Sequence, residues 1–216
     1  MPVSVIIAAL DDEATVGAAI DSAFAAGAAE VIVSDGGSSD RTWQIAKERG
    51  ANVIQSQPWR SKQFNYAANV AKHAAFLFLH ADTTLPAGAC AAVDRALKDA
   101  DFGGFRISFI EDAFKLRVAA FLINLRTRIT KSPWGDQAQF IRRSAFGGFR
   151  EIPLMEDYEL ASRMKRRVLL PMYVKTSGRR FLTKGLIRTA IVNWSIILRW
   201  RMGADAESLA KIYRGP

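Results

Sequence analysis

The sequence predicts an α/β fold in which helices flank a mostly parallel central sheet. Short apolar runs of strand length alternate with helical segments through the first hundred residues, which is typical of βαβ units with right-handed crossovers. Polar clusters follow three of the predicted strands, at residues 11–13, 35–40 and 80–82. The length of 216 residues and the hydrophobic content of 50% suit one large domain with a buried core.

Val3–Ala9 has the continuous apolar character of a strand that is buried on both faces of a sheet. After a polar turn, Val16, Ile20 and Phe24 recur with the i, i+4, i+8 spacing of one helix face. Gly27 is the kind of residue that commonly ends a helix. These residues predict the first βα unit.

The second βα unit begins with the predicted strand Glu30–Ser34. The turn that follows leads into a helix that we expect to be capped by Ser39 or Asp40 and closed by Gly50.

Residues 52–55 form a short third strand, and the basic loop 58–62 precedes a helix from about Gln63 to Lys72. Phe76–Leu79 is the fourth strand. A small-residue helix over 87–100 carries the single cysteine, Cys90, which cannot form an internal disulfide and is expected to be a buried thiol.

Asp82 follows the fourth strand directly, and ligands of open α/β sheets bind at the carboxyl ends of strands. A carboxylate there is a suitable ligand for Mg²⁺ or Mn²⁺ together with substrate phosphates, and a turn-capping aspartate is the alternative. The turn after the first strand lacks the glycines of a dinucleotide-binding site and the lysine of a P-loop. Nicotinamide enzymes and P-loop enzymes are therefore disfavoured.

The net charge of +9 is unevenly distributed. Residues 1–162 carry 17 Lys and Arg against 19 Asp and Glu, whereas residues 163–216 carry 13 against 2. Apolar residues interrupted by arginines fill Phe114–Ile129, which contains Arg117, Arg126 and Arg128, and also Leu186–Trp200. Such basic amphipathic helices can lie in the interface of an anionic membrane, or they can pack on the domain or on a second subunit of a homodimer and expose their arginines.

No nucleic-acid motif accompanies the charge, so a nucleic-acid partner is not expected. The start of the sequence lacks the features of a signal peptide. We therefore expect a cytoplasmic location, either free in the cytoplasm or at the inner face of the membrane.

Five motifs in order along the chain resemble glycosyltransferase family 2, the inverting enzymes of the GT-A fold. The matching segments are 3–7, 31–42, 78–83, 135–137 and 147–157. Within the family the chain is similar to a bacterial subgroup termed "transferase 2", some members of which are assigned to arsenosugar biosynthesis. The resemblance implies a GT-A nucleotide-diphospho-sugar transferase domain over residues 1–183, followed by a basic helical tail over 184–216.

The resemblance implies metal-dependent inverting transfer of a sugar from a nucleotide-diphosphate donor to an acceptor hydroxyl, with Mn²⁺ or Mg²⁺ as cofactor. Asp157 would be the general base, next to Glu156 in a catalytic pair. Asp82 would bind the metal, with His80 as a second ligand or as a hydrogen-bonded residue at the strand end. Asp35 would accept a hydrogen bond from the base of the donor, and an Asx turn that feeds a helix cap is its structural alternative.

The remaining implied contacts fall into two groups. The donor-nucleotide group is Ala8, Ala9, Asp12, Glu13, Asp35, Arg60, Lys62 and Ala81. The sugar and acceptor group is Trp134, Gly135, Asp136, Gln137, Arg179 and Arg180, in which the two arginines could neutralise the diphosphate. Arg60 and Lys62 could instead belong to a solvated loop, and Trp134 could be a buried turn residue.

The sequence departs from the family at residues 8–11, which read Ala-Ala-Leu-Asp where the family has Pro-x-Tyr/Leu-Asn. Contacts from this loop are accordingly less secure. Two other functions remain open on the residues alone. A nucleotidyltransferase would need a glycine-rich, arginine-containing loop after the first strand, which is absent. A noncatalytic membrane-associated protein could retain the same fold.

Overall fold

The computed structural model describes residues 1–214, and positions 215 and 216 of the predicted tail lie outside the described residues. The strands are β1 Val3–Ala9, β2 Glu30–Asp35, β3 Asn52–Gln55, β4 Ala75–His80, β5 Thr83–Thr84, β6 Phe102–Phe109, β7 Phe140–Arg142 and β8 Arg167–Thr176. The helices are α1 Val16–Ala25, α2 Thr42–Glu48, α3 Arg60–Val70, α4 Ala89–Ala96, α5 Phe114–Thr130, α6 Glu156–Arg163, α7 Arg179–Lys184, α8 Leu186–Arg201 and α9 Ala206–Arg214. Short 3₁₀ helices cover Gly135–Gln137 and Arg143–Ala145.

The strands of the described chain form one sheet in the order β3-β2-β1-β4-β7-β6-β8-β5. Strands β1 to β4 are mutually parallel, β6 is parallel to β8, and β7 runs antiparallel between β4 and β6. The predicted α/β fold with a mostly parallel sheet is therefore confirmed. Because β1, β2, β4 and β6 point the same way, the segments that follow them meet at one edge of the sheet.

Both faces of the sheet are covered. Val5 and Ile7 of β1 pack with α1 and α4 on one face, whereas Ile6 packs with Phe64 of α3 and Leu160 of α6 on the other. This alternation follows from the period of two in a strand. With both faces buried, the carboxyl edge of the sheet is where polar side chains can gather within reach of a ligand.

Two of the predicted helix faces and boundaries are wrong. Phe24 is 42% exposed, and Ala23 lies with Val16 and Ile20 on the buried face of α1. At about 100° per residue, position i+7 lies about 20° from position i, whereas i+8 lies about 80° away. Helix α4 is shorter than predicted because Gly88, with φ of 74°, precedes it and residues 97–99 continue only as a turn.

Helix α3 begins at Arg60 rather than near Gln63, so Arg60 and Lys62 lie in its first turn and not in a loop. Trp59, with φ of 110°, ends the preceding loop, and its carbonyl accepts the Gln63 N–H at 3.0 Å. The side chains of this turn are thereby fixed by helix geometry.

Helix α2 begins at Thr42 with Arg41 at the N-cap position, and Asp40, one of the two predicted caps, accepts the first N–H of the helix, whereas Ser39 does not. Asp40 accepts the Thr42 N–H at 2.9 Å, while Ser39 donates its N–H to Asp11 at 2.8 Å. The bond from Ser39 to Asp11 joins the loop after β1 to the loop after β2.

The C-terminal helices form a third apolar cluster with the segment before α6. Ile196 of α8 and Leu209 of α9 pack with Leu154 and Met155. A helical C-terminal segment is confirmed, while a domain boundary at residue 183 stays a prediction. Among the described residues, no helix has the length and apolar character needed to cross a membrane.

Strand β6 carries two glycines at places where other elements approach its backbone. A Cβ on Gly103 would lie 2.4 Å from Phe140 Cζ and 2.5 Å from the Val168 carbonyl oxygen. A Cβ on Gly104 would lie 2.4 Å from Pro133 Cβ. The glycines therefore allow β7 and the turn before Gly135 to pack closely against β6.

We expect Gly103→Ala to destabilise the fold by about 1–3 kcal/mol, because the added methyl group must displace the backbone of β8 as well as a buried phenylalanine ring. Urea unfolding should show a lower midpoint. Gly147→Ala is the matched control, since its Cβ would meet only Arg163 at 3.7 Å. Equal midpoints for the two variants would contradict the packing role of Gly103.

Candidate functional site

Carboxylates gather at the carboxyl edge of the sheet. Asp12 follows β1, Asp82 follows β4, Asp136 lies in the 3₁₀ turn, and Glu156 and Asp157 begin α6. Asp82 contributes to the raised pKa of Asp12, and both Asp157 and Asp82 contribute to that of Asp136, although burial is the largest cause in each case. The structure thus brings together the predicted metal-binding, catalytic and acceptor-binding carboxylates.

The backbone fixes the orientation of the Asp157 carboxylate. Its Oδ2 accepts the Gly135 N–H at 2.6 Å, and its Oδ1 accepts the Tyr158 N–H at 2.7 Å. Gln139 donates to the Asp157 carbonyl at 2.9 Å. A Cβ at position 135 would lie 2.9 Å from His80 Nε2 and 3.2 Å from Asp157 Oδ2, so only glycine permits this approach.

Glu156 and Arg60 form an ion pair at 3.0 Å. The Glu156 side chain is 5% exposed, and its pKa is raised by burial and lowered by Arg60. The pKa of Arg60 is raised, mainly by Glu156 and further by Asp157 and Asp136. Arg60 therefore supplies the positive charge against which these carboxylates are held, and Glu156 is engaged with it.

His80 lies at the end of β4 with its Nε2 3.4 Å from an Arg60 nitrogen. Burial, and next the charge of Arg60, lower the pKa of His80 to about 3. The imidazole is consequently neutral, with Nε2 placed to accept from Arg60. Its role as a metal ligand stays a prediction.

Asp82 is the predicted protein ligand of a divalent cation, and this role stays a prediction. Burial raises its pKa, and Arg179 and Arg60 lower it. The residues described by the structure contain no cluster of three or more His, Cys, Asp or Glu that could hold a metal. A single carboxylate fits an ion such as Mg²⁺ or Mn²⁺ that keeps water and is held mainly by substrate phosphates, rather than a cage of protein ligands.

Asp35 lies buried at the end of β2. Its carboxylate accepts the N–H groups of Gly37 at 3.1 Å and Ser38 at 3.0 Å, and the Ser38 hydroxyl also donates to it. These bonds form the Asx turn of the structural alternative. Contact of Asp35 with a nucleotide base stays a prediction.

Three of the other residues predicted to contact the donor nucleotide lie inside the protein. Ala8, Ala9 and Ala81 are buried, and the Ala9 carbonyl accepts from Gly36 and from Gln63. Gln63 also donates to the Ser34 carbonyl at 2.9 Å and so joins the ends of β1 and β2.

Glu13 and Lys62, also predicted to contact the donor, are engaged with the chain itself. Glu13 accepts the Arg41 N–H at 3.1 Å. Lys62 donates to Gln57 at 2.7 Å and lies 4.8 Å from the Trp59 ring centre. Their contacts with a nucleotide stay predictions.

The prediction that Gln137 contacts sugar hydroxyls is wrong. The side chain is fully buried, its Oε1 accepts from Thr127, Arg126 and the Trp134 N–H, and its Nε2 donates to the Phe105 carbonyl. With these polar atoms bound inside the protein, Gln137 links α5 and β6 to the turn that carries Asp136.

Arg126 is the main site residue that sequence reasoning missed. Its guanidinium stacks on Trp134 at 3.4 Å from the ring centre, and its charge opposes the burial that raises the pKa of Asp136 to about 6. Burial lowers the pKa of Arg126 to about 10. Within the described part of the chain, one buried Asp136 oxygen and two buried Arg126 nitrogens have no hydrogen-bond partner. The sequence shows Arg126 among the arginines that interrupt the apolar segment 114–129, but nothing in the pattern separates it from Arg117 and Arg128.

Arg179 and Arg180 take different directions. Arg179 lowers the pKa of both Asp12 and Asp82, which places its charge near the predicted metal site. Arg180 stacks on Tyr213 of α9 at 3.4 Å and donates to its carbonyl at 3.1 Å. Arg179 is therefore the better placed of the two for a diphosphate, and Arg180 anchors the last helix.

The fold of this protein is similar to that of known proteins. The structure of S. aureus TarS residues 1–349 in complex with UDP-GlcNAc is similar over 99% of this chain and 70% of that one, with a TM-score of 0.63 at 16% identity. Glucosyl-3-phosphoglycerate synthase from Mycobacterium tuberculosis, in complex with Mn²⁺, UDP and phosphoglyceric acid, is similar over 94% and 78% of the two chains, with a TM-score of 0.64 at 18% identity. These similarities confirm the predicted GT-A fold.

No curated protein sequence matches the chain. The sequence model of the family described as "Glycosyl transferase family 2" matches residues 4–154, from β1 to the segment before α6. The match covers most of the chain and includes the strand ends at which Asp12, Asp35 and Asp82 lie. This protein therefore belongs to glycosyl transferase family 2.

Proposed function

We propose that this protein is a metal-dependent inverting glycosyltransferase that moves a sugar from a nucleotide-diphosphate donor to an acceptor hydroxyl. The observation that carries the proposal is the Asp157 carboxylate, fixed by two backbone N–H groups beside Asp82 and Asp136. The UDP-GlcNAc, UDP and Mn²⁺ present in the two similar structures support a nucleotide-sugar donor and a divalent ion. The acceptor, and a link to arsenosugars, stay predictions.

In the proposed reaction the acceptor oxygen forms a bond to the anomeric carbon while the bond from that carbon to the phosphate oxygen breaks. The proton of the acceptor hydroxyl passes to Asp157, and the bonding electron pair leaves with the nucleoside diphosphate. Because attack comes from the face opposite the leaving group, the anomeric configuration inverts. Gly135 and Tyr158 orient the carboxylate so that the general base need not reorganise when the hydroxyl arrives.

Asp82 would hold the Mn²⁺ or Mg²⁺ ion together with the donor diphosphate. When bound, the ion supplies positive charge that stabilises the departing diphosphate. Arg179 adds charge on the same side of the site. Asp136 and Arg126 would bind hydroxyl or anionic groups of the sugar and acceptor.

We expect Asp157→Asn to lower kcat by roughly 100-fold or more, because the amide cannot take the proton. Release of nucleoside diphosphate from UDP-, GDP-, CDP- and dTDP-sugars, with water as acceptor, would measure the loss. Nucleotide affinity and melting temperature of the same variant control for misfolding. Turnover close to that of the unsubstituted protein would contradict the assignment of the base.

Asp82→Ala should abolish the metal-dependent part of donor binding, because it removes the proposed protein ligand of the ion. Titration of UDP, GDP, CDP and dTDP with and without Mn²⁺, with the melting temperature as the readout, would show this loss. The same titration would identify the nucleotide base that the protein prefers. Asp112→Ala is the control, since that carboxylate is 85% exposed and has Arg117 as its ion-pair partner. A Mn²⁺-dependent response that persists in Asp82→Ala would show that the ion is bound elsewhere.

The raised pKa of Asp136 predicts a pH-dependent stability. The unfolded chain releases this proton near pH 3.8 and the folded protein near 6, so the folded state binds more protons in between and loses stability as the pH rises through that window. Relative to the unsubstituted protein, Asp136→Asn should therefore gain up to roughly 1–3 kcal/mol of unfolding free energy between the two pH values. Urea unfolding across this pH range would measure the difference in unfolding free energy between the variant and the unsubstituted protein. For Asp112→Asn this difference should not change with pH.

A further inference from the structure

Helices α5 and α8 expose their apolar residues instead of burying them. On α5, Phe121, Leu125 and Ile129 are 43–74% exposed, and on α8, Ile191, Trp194 and Leu198 are 59–63% exposed. On α8 the exposed residues have the i, i+3, i+7 spacing of one helix face, and on α5 they lie four residues apart and turn through about 80° from Phe121 to Ile129, so each exposed set forms a continuous stripe. The two helices contact each other. We call these six residues together the α5–α8 face.

The α5–α8 face is bordered by positive charge. Neither helix contains an aspartate or a glutamate, whereas Lys115, Arg117 and Arg128 of α5 and Arg188, Arg199 and Arg201 of α8 are exposed. Two of these arginines have partners, since Arg117 lies 3.7 Å from Asp112 and Arg201 donates to the Tyr158 hydroxyl at 3.0 Å. The surface is therefore apolar along its centre and cationic at its borders.

This combination decides between two kinds of occupant. A second copy of the chain would cover the apolar residues but would bring the basic borders of both copies together, and like charges repel. An anionic lipid bilayer satisfies both features, because its acyl region accepts the apolar side chains while its headgroups attract Arg and Lys. Trp194 is also of the residue type that favours the membrane interface.

We propose that the α5–α8 face docks on an anionic lipid bilayer, with both helices lying in the interface plane. The proposal does not depend on the transfer reaction, because lipid binding needs neither donor nor acceptor. It places the membrane next to the site, since Ile196 and Ile197 on the inner side of α8 pack with Leu154 and Met155, which directly precede Glu156. Asp157 would then lie one layer of side chains behind the membrane-bound helix.

Co-sedimentation of the full chain with phospholipid vesicles tests the proposal. We expect binding to phosphatidylcholine vesicles that contain phosphatidylglycerol and much weaker binding to phosphatidylcholine alone. Trp194→Glu and Phe121→Glu should each weaken partitioning by roughly tenfold or more, and the double variant Arg188→Glu/Arg199→Glu should remove the preference for the anionic lipid. Phe24→Glu is the matched control, because Phe24 is an exposed aromatic residue on α1, outside the face.

Three results would overturn the proposal. The first is failure of the unsubstituted protein to bind anionic vesicles. The second is equal binding by Trp194→Glu, Phe121→Glu and Phe24→Glu. The third is a dimer in vesicle-free solution that Trp194→Glu dissociates, as measured by sedimentation velocity, which would show that a second copy covers the face. Unchanged melting temperatures would confirm that the variants are folded, as expected for substitutions at exposed positions.

Discussion

The architecture of the site depends on the Arg60–Glu156 ion pair. Placing several carboxylates at one half-buried edge of a sheet is unfavourable unless positive charge is placed among them. Arg60 meets this requirement because α3 begins one residue after the strained Trp59 and so holds the guanidinium between β4 and α6. A buried Glu156 without this partner would be an uncompensated charge at the first residue of α6, next to the proposed base.

Much of the fold was predictable because it depends on local patterns. The apolar runs of β1 and β4 and the helical segments between them specify parallel βαβ units, and parallel strands place Asp12 and Asp82 at the same edge whatever the packing details. The beginning of α3 was not predictable, because the positive φ of Trp59 is imposed by its surroundings and not favoured by its residue type. The exposure of Phe24 could have been predicted from the sequence by applying the angle of about 100° per residue strictly.

The direction of polar side chains was the weakest part of the prediction. Gln137 follows Asp136 directly, yet one side chain is bound to α5 and β6 while the other retains an unsatisfied oxygen. The sequence contains no mark of this difference, because it arises from how α5 packs against a 3₁₀ turn. In the same way, the excess of basic residues was visible in the sequence. Which of them lie in the site, as Arg126 does, and which lie at the surface, as Arg188 does, depends on which side of each helix faces the sheet.

The contact of α8 and α9 with residues 154–155 has a consequence for synthesis of the chain on the ribosome. The segment that begins α6 emerges well before residues 196–213, and Tyr213, which stacks on Arg180, emerges last among them. A nascent chain can thus fold its parallel sheet while the apolar surface at Leu154 and Met155 is still uncovered. The apolar cluster that α8 and α9 form with Leu154 and Met155 is completed only after translation has passed these helices, so the packing that supports the start of α6 is a late event in the life of each molecule.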